Sequence, residues 1–183
     1  GNIGSAQAVE VIVDAATRLK EHADIQFVVL GDGSSRAWMQ QQAKERGLAN
    51  LHLPGRFPVE TMPAFMQKAS ALLVTLADRE IFAATVPNKV QAYMAAGRPI
   101  IACLPGEGAR LVSEAGAGIA VRAEDGAALA AAVMQLYRMT ESEREVLGRK
   151  GRAYFHAHFD HEKLVDQLIV QLQEVAENNK GKQ

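Results

Sequence analysis

The sequence holds a single cysteine, Cys103, so no intramolecular disulfide can form. The apolar run Ile100-Ile-Ala-Cys-Leu104 around it reads as a buried strand carrying a core thiol, not as an exposed nucleophile on an elbow. That usage suits a reducing compartment, and a cytoplasmic location is expected. An excess of charge is missing as well: 20 Lys and Arg stand against 21 Asp and Glu, the formal net charge is −1, and the basic residues are scattered. Nothing in that balance calls for nucleic acid or an anionic membrane as partner. No apolar run is long enough to span a bilayer and no stretch reads as a secretory signal, so attachment to the inner face of the cytoplasmic membrane would have to come from elsewhere in the polypeptide. Internal repeats, low-complexity linkers and a G-x-G-x-x-G fingerprint are absent, which weighs against a dehydrogenase. His156, His158 and His161 lie close together, but without matching cysteines or clustered carboxylates, and Asp160 is suited to cap a following helix; no metal is expected.

What the chain does have is a core. With 183 residues, 48% of them hydrophobic, it can bury one good interior, and the size suggests one domain. Short apolar runs predict strands at Ile25–Leu30, Leu51–Leu53, Ala71–Leu76, Pro99–Leu104 and Gly118–Val121. Helical periods lie between them: Val9, Ile12, Ala16 and Leu19 mark one face, and Gly47 closes the next helix after Ala43. The alternation predicts an α/β fold, a Rossmann-like doubly wound parallel sheet over residues 1–122. Helices follow over 123–177, from Leu129, Val133 and Leu136, from a capping box at Thr140-Glu-Ser-Glu143, and from the face Leu164, Leu168, Leu172 and Val175; residues 178–183 form a frayed tail.

The segment Ala84-Thr-Val-Pro-Asn-Lys-Val-Gln-Ala-Tyr-Met-Ala-Ala-Gly-Arg-Pro contains a conflict. Pro87 suits a helix start and Gly97 a helix stop, which puts Lys89 in the first turn, where unpaired N–H groups and the macrodipole already make the helix electropositive. A phosphate anion would resolve it. Gly1-Asn-Ile-Gly before a helix near Ser5 and Ala6, and Gly31 and Gly33 in Val29-Leu-Gly-Asp-Gly, would let backbone N–H groups approach a diphosphate, or would simply turn strand into helix. Arg56, in Leu53-Pro-Gly-Arg-Phe-Pro, ends a strand as an anion contact or as a solvated arginine. Arg36 repeats the mismatch of Lys89 more weakly, and reads equally well as a surface charge.

Thr85 to Ile101, taken with the opening Gly1-Asn-Ile-Gly-Ser-Ala-Gln and with Val29-Leu-Gly-Asp-Gly, resembles the C-terminal domain of retaining GT-B glycosyltransferases of family 4 (group 1). The likeness is greatest to bacterial enzymes of surface polysaccharide and lipopolysaccharide assembly, such as N-acetyl-L-fucosamine-type transferases. It runs over essentially the whole chain, most strongly at residues 1–7, 29–33, 54–57, 85–101 and 106–118. The resemblance implies a domain that binds a nucleotide sugar, with UDP favoured, and needs no cofactor or metal. The donor and diphosphate contacts it implies are Gly1, Asn2, Gly4, Gly31, Gly33, Arg56, Phe57, Thr85, Val86, Pro87, Asn88, Lys89 and Gln91. It also implies an N-terminal acceptor-binding domain and a first, central strand outside this sequence. The expectations are then that the chain alone does not turn over, and that the open sheet edges offer a route to self-association.

Two departures from the family pattern stand out. Many relatives carry glutamates eight residues apart around this helix; counting back from Gly97, those positions hold Ala84 and Ala92. Glu80 is the candidate to replace the first, and Gln91, Asn88 or Tyr93 to serve the ribose, unless Gln91 and Tyr93 are plain helix positions. The loop at Gly4-Ser-Ala-Gln7 also lacks the basic residues that many relatives place against the diphosphate, so Lys89 and Arg56, aided by Arg98 or Arg110, would carry that charge. The missing glutamates leave open a non-catalytic nucleotide-binding module, and the two-domain architecture leaves open half of a nucleotide-sugar epimerase.

Overall fold

Among the described residues five short strands of four or five residues form, most of them on apolar runs bounded by turn residues. In the computed structural model, which describes residues 1–160, 165 and 168–173, they are β1 (Phe27–Leu30), β2 (Leu51–Gly55), β3 (Leu72–Thr75), β4 (Ile100–Cys103) and β5 (Gly118–Val121). Helices fill the intervals: α1 (Glu10–Arg18), α2 (Arg36–Glu45), α3 (Met62–Lys68), α4 (Glu80–Ala83), α5 (Asn88–Ala96), α6 (Gly106–Glu114), α7 (Gly126–Arg138) and α8 (Glu141–His158). Every strand pair is parallel. The strands fall into two groups, β1-β2 and β3-β4-β5.

β4 shows how the layers arise. Successive side chains of a strand point to opposite faces, so Ile101 and Cys103 enter one core with α1 and α7, while Ile100, Ala102 and Leu104 enter a second with α5 and α6. A strand covered on both sides needs apolar residues at every position, and Ile100 to Leu104 are all buried. On α1, the expected face Val9, Ile12, Ala16 and Leu19 is buried, against α7.

α5 begins one residue later than Pro87, which serves as its N-cap with φ −63° and ψ 138°, and it ends on Gly97 in the left-handed conformation at φ 68°. Lys89 is therefore in its first turn. α8 starts on the expected capping box, Thr140 and Glu143 bonding each other's backbone N–H. It packs against α5, where a Cβ on Gly148 would lie 2.1 Å from the Gly97 carbonyl oxygen. The helix expected near Ser5 is instead a 3-10 turn over Ser5–Gln7, and α1 starts only at Glu10. His156 pairs with Asp160 at 3.8 Å, and the Tyr154 and His158 rings lie 4.2 Å apart. His161, Leu164 and Val175, and the tail 178–183, lie outside the described residues. Among the described residues no helix is long and apolar enough to cross a membrane.

Candidate functional site

The carboxyl ends of β1 and β3 meet at the loop of residues 1–7, and that meeting creates the site. Asp32, just past β1, donates its N–H to the Gly1 oxygen at 3.2 Å and accepts from the Ile3 N–H at 2.8 Å, while the Gly1 nitrogen donates to the Leu30 oxygen. Past β3, the Ala77 N–H bonds the Ala6 oxygen at 3.0 Å and the Thr75 hydroxyl bonds that of Gln7. The Gln7 amide oxygen then accepts from the Asn2 side chain and from the Gly4 N–H, both at 3.1 Å, which folds the loop back on itself. Open α/β sheets bind ligands at this edge.

Gly31 and Gly33 have a reason for being glycine that the sequence does not reveal. Both have positive φ, 142° and 154°, and an added Cβ would lie 1.8 Å from the Gly1 oxygen at Gly31 and 2.3 Å from the Ile3 oxygen at Gly33. The approach they permit is that of loop 1–3.

Two cavities open on either side of Gly1. The larger, about 840 Å³, lies between β1 and β3 and includes Lys89 and Tyr93 in its wall. The smaller, about 420 Å³, is lined by Gly31, Asp32, Arg56, Phe57 and Val59. Gly1, Asn2, Leu30 and Met62 belong to both. Lys89 reaches Gly1 from one side, its Nζ 3.0 Å from where a Gly1 Cβ would stand. Arg56 reaches it from the other.

The two cations differ in how far they are committed. Arg56 faces Asp32 at 3.7 Å, with both side chains largely exposed, so screening leaves little energy in the pair. Lys89 has no carboxylate partner among the described residues, and desolvation pushes its pKa down. A bound diphosphate would offset that desolvation and favour the ammonium. Burial also pushes Tyr93, one turn further along α5, upward. A pH dependence follows. Affinity for a nucleoside diphosphate is expected to be full below the Lys89 pKa of the free protein and to decline as pH rises through it, starting below the ordinary lysine range. Above pH ~7.5 a terminal phosphate, with second pKa about 6, is already ionised and adds no slope. Calorimetry from pH 7.5 upward checks this, and Lys89→Met should flatten the profile.

The remaining expected residues are distributed unevenly. Phe57 stands at the rim of the smaller cavity, edge-on to Phe65 with ring centres 4.8 Å apart. Gly4 sits inside the loop, close to Asn2, Gln7 and Ser34. Thr85 closes α4 through its hydroxyl, and neither it nor Val86, Pro87, Asn88 or Gln91 lines either of these two cavities. Glu80 opens α4, exposed and outside both cavities. Ala84 follows α4 and Ala92 is exposed on α5. Arg110 is engaged by Glu107 and Glu114, and Arg98 donates to the Gln67 oxygen. Arg36 is not a free surface charge: it donates to the Leu53 oxygen at 3.3 Å, with its Nε buried and unpaired. Gln7 and Met62 went unnoticed in the sequence, and only an amide inside a glycine-rich loop pointed to the first.

Comparison with known proteins agrees with this architecture. The family described as glycosyl transferases group 1 matches residues 1–139. A putative colanic acid biosynthesis glycosyl transferase of Escherichia coli K12, WcaI, is 32% identical over 100 residues, 53% of this chain and 23% of the relative. The crystal structure of Anabaena Alr3699/HepE in complex with UDP superposes with a TM-score of 0.82 at 16% identity, over 95% of this chain and 47% of that one. The C-terminal domain of a group 1 family protein, LpcC from Francisella tularensis, gives 0.73 at 17% identity, over 88% of this chain and 84% of that domain. The chain thus spans less than half the length of the first two.

Proposed function

This chain belongs to the group 1 glycosyltransferase family, and from that premise we propose that it is the donor-binding half of a GT-B enzyme that takes a sugar from a UDP-linked donor. The observation that carries the reading is the pair of cations converging on Gly1, Lys89 with no carboxylate partner among the described residues and Arg56 only weakly engaged. A diphosphate at Gly1 would contact both and would face the first turn of α5, whose N–H groups and dipole favour an anion. Charged hydrogen bonds of this kind contribute about 1.5–3 kcal/mol each, enough in combination for micromolar binding. The base would then lie in the smaller cavity beside Phe57, and the sugar would extend toward the acceptor-binding half. In the chemistry proposed, the site stabilises the departing UDP as the bond from the anomeric carbon to phosphate breaks, while an acceptor hydroxyl attacks that carbon with retention and gives its proton to a base of the acceptor-binding half. Glu80, three residues beyond the Ala77 contact with loop 1–7, is the proposed carboxylate near the sugar. A glycan or lipid-linked acceptor in cell-surface polysaccharide synthesis is supported by the pathway in the name of the E. coli relative.

Calorimetric titration with UDP, GDP and ADP tests the reading. Selective UDP binding in the micromolar range is expected; a folded chain that binds none of the three would overturn it. Ala84 and Ala92 favour a second reading, a module that binds nucleotide without transferring sugar. A transfer assay on the polypeptide that includes the acceptor-binding half separates the two.

A further inference from the structure

α2 opens on a side chain that its own helix would not choose. Arg36 is the first helical residue, where the dipole opposes a cation, and its Nε is buried with no hydrogen-bond partner among the described residues. What the guanidinium does make is a bond outside the helix: Nη2 donates to the Leu53 oxygen of β2 at 3.3 Å. The same group lies beside Gly55, 3.6 Å from where a Cβ on that residue would stand. A side chain unfavourable in its own helix, with its bond directed at another element, has its reason in that second element.

The end of β2 is irregular. Val28 pairs with His52 and Leu30 with Gly55, so β2 carries one residue more than β1 between the two pairs. This bulge falls at Leu53 and Pro54, and the chain turns at Gly55, where φ is 96°. An extra residue bends a strand and re-aims the side chains beside it. Here those are Arg56 and Phe57, both in the wall of the smaller cavity. From the β1 side the bulge is held by the Gly31 N–H, which donates to the Gly55 oxygen at 2.8 Å, and from the α2 side by Arg36. Beyond it the contacts are soft: Arg56 pairs weakly with Asp32, and Phe57 meets the Phe65 ring edge-on.

We infer that Arg36 is a positioning residue for the smaller cavity: by fixing the bulge at Leu53 to Gly55, it aims Arg56 and Phe57 into the cavity wall. Arg36 does not line that cavity itself, so it acts through those two side chains. Its consequence for binding rests on the reading of the cavity as part of the nucleotide site, whereas the seating of the bulge does not.

Arg36→Met keeps the apolar stem and the helix but removes the donor, and the test begins without nucleotide. In the variant the Gly31 amide is expected to exchange at least about tenfold faster, and the nuclear Overhauser contact between the Phe57 and Phe65 rings to weaken. The Leu72 amide of β3, which bonds Pro99, should keep its parent rate. Parent-like values at Gly31 and Phe57 would overturn the inference whatever UDP does. So would a Leu72 amide that accelerates as much as Gly31, since the substitution would then have loosened the whole fold. With UDP, followed by NMR titration into the millimolar range, affinity is expected to fall about three- to tenfold in Arg36→Met, and less than about twofold when the same change is made in a chain already carrying Arg56→Ala and Phe57→Ala. An equal loss in both backgrounds would overturn action through Arg56 and Phe57. A parent chain that binds no UDP would sink the nucleotide reading alone, and the Gly31 exchange and ring contact would still decide whether Arg36 seats the bulge.

Discussion

Replacing Lys89 with alanine is expected to weaken UDP binding about 10- to 100-fold, corresponding to loss of one charged contact of ~1.5–3 kcal/mol. The same substitution should leave the fold intact and make it slightly more stable. Lys89 is partly in solvent although cavity burial lowers its pKa, has no carboxylate partner to strand among the described residues, and sits in the first turn of α5, where the helix dipole opposes a cation by about 0.3–1 kcal/mol. Alanine is also the better helix former. Opposite signs in the two measurements, affinity down and melting temperature level or up, distinguish a ligand-directed lysine from a structural one. Arg56→Ala should cost less affinity, since Asp32 at 3.7 Å already draws part of that charge. If Lys89→Ala binds UDP as well as the parent chain, the phosphate at the start of α5 is wrong.

That lysine was legible in the sequence because the conflict is local: a helix start, a cation and a stop within the eleven residues from Pro87 to Gly97 express it without any knowledge of tertiary contacts. The five strands were legible for a similar reason, since a buried parallel strand is a bare apolar run, and each appears within two residues of its expected bounds. Pairing was not. A run of apolar residues says that a strand is covered on both faces but not which neighbours lie beside it, so the division into β1-β2 and β3-β4-β5 emerges only in three dimensions. Arg56 was visible as a strand-end arginine, yet its partner Asp32 belongs to another loop. The sequence suggests a phosphate cradle at Gly31 and Gly33, while the structure shows backbone of residues 1–3 against their open faces. The glycine signal is the same in both cases, because close approach of a ligand and close approach of a loop impose the same demand on φ and on the missing Cβ. The segment Thr85–Gln91 shows the converse. The resemblance assigns Thr85 to Lys89 and Gln91 to the donor, but in a helix only residues three or four apart share a face, and the face that meets the larger cavity carries Lys89 and Tyr93.

The other large effect is expected at a glycine remote from the anion site. Gly148→Ala should lower stability by about 1–3 kcal/mol, because the new methyl would stand 2.1 Å from the Gly97 carbonyl oxygen and 3.2 Å from the Arg98 Cα. Neither neighbour can yield by rotating a side chain. Gly97 holds the left-handed conformation that ends α5, and Pro99, buried directly after Arg98, leads the chain into β4. The strain can be relieved only by moving α8 away from α5, which would also draw Gly151, one turn further along, away from Met94 and Ala117. Alanine is the better helix residue by up to ~1 kcal/mol, so the measured loss will be the packing cost less that gain. Thermal unfolding should show a midpoint several degrees lower, at ~2–4 °C per kcal/mol for a chain of this size. Gly47→Ala would be the wrong control, since its φ is +61°; Ser113→Ala, exposed on α6, is the better one and should shift the midpoint little. An unchanged midpoint in Gly148→Ala would mean that α8 does not close on α5 at this distance, and that the end of α5 opposite Lys89 is held by something else.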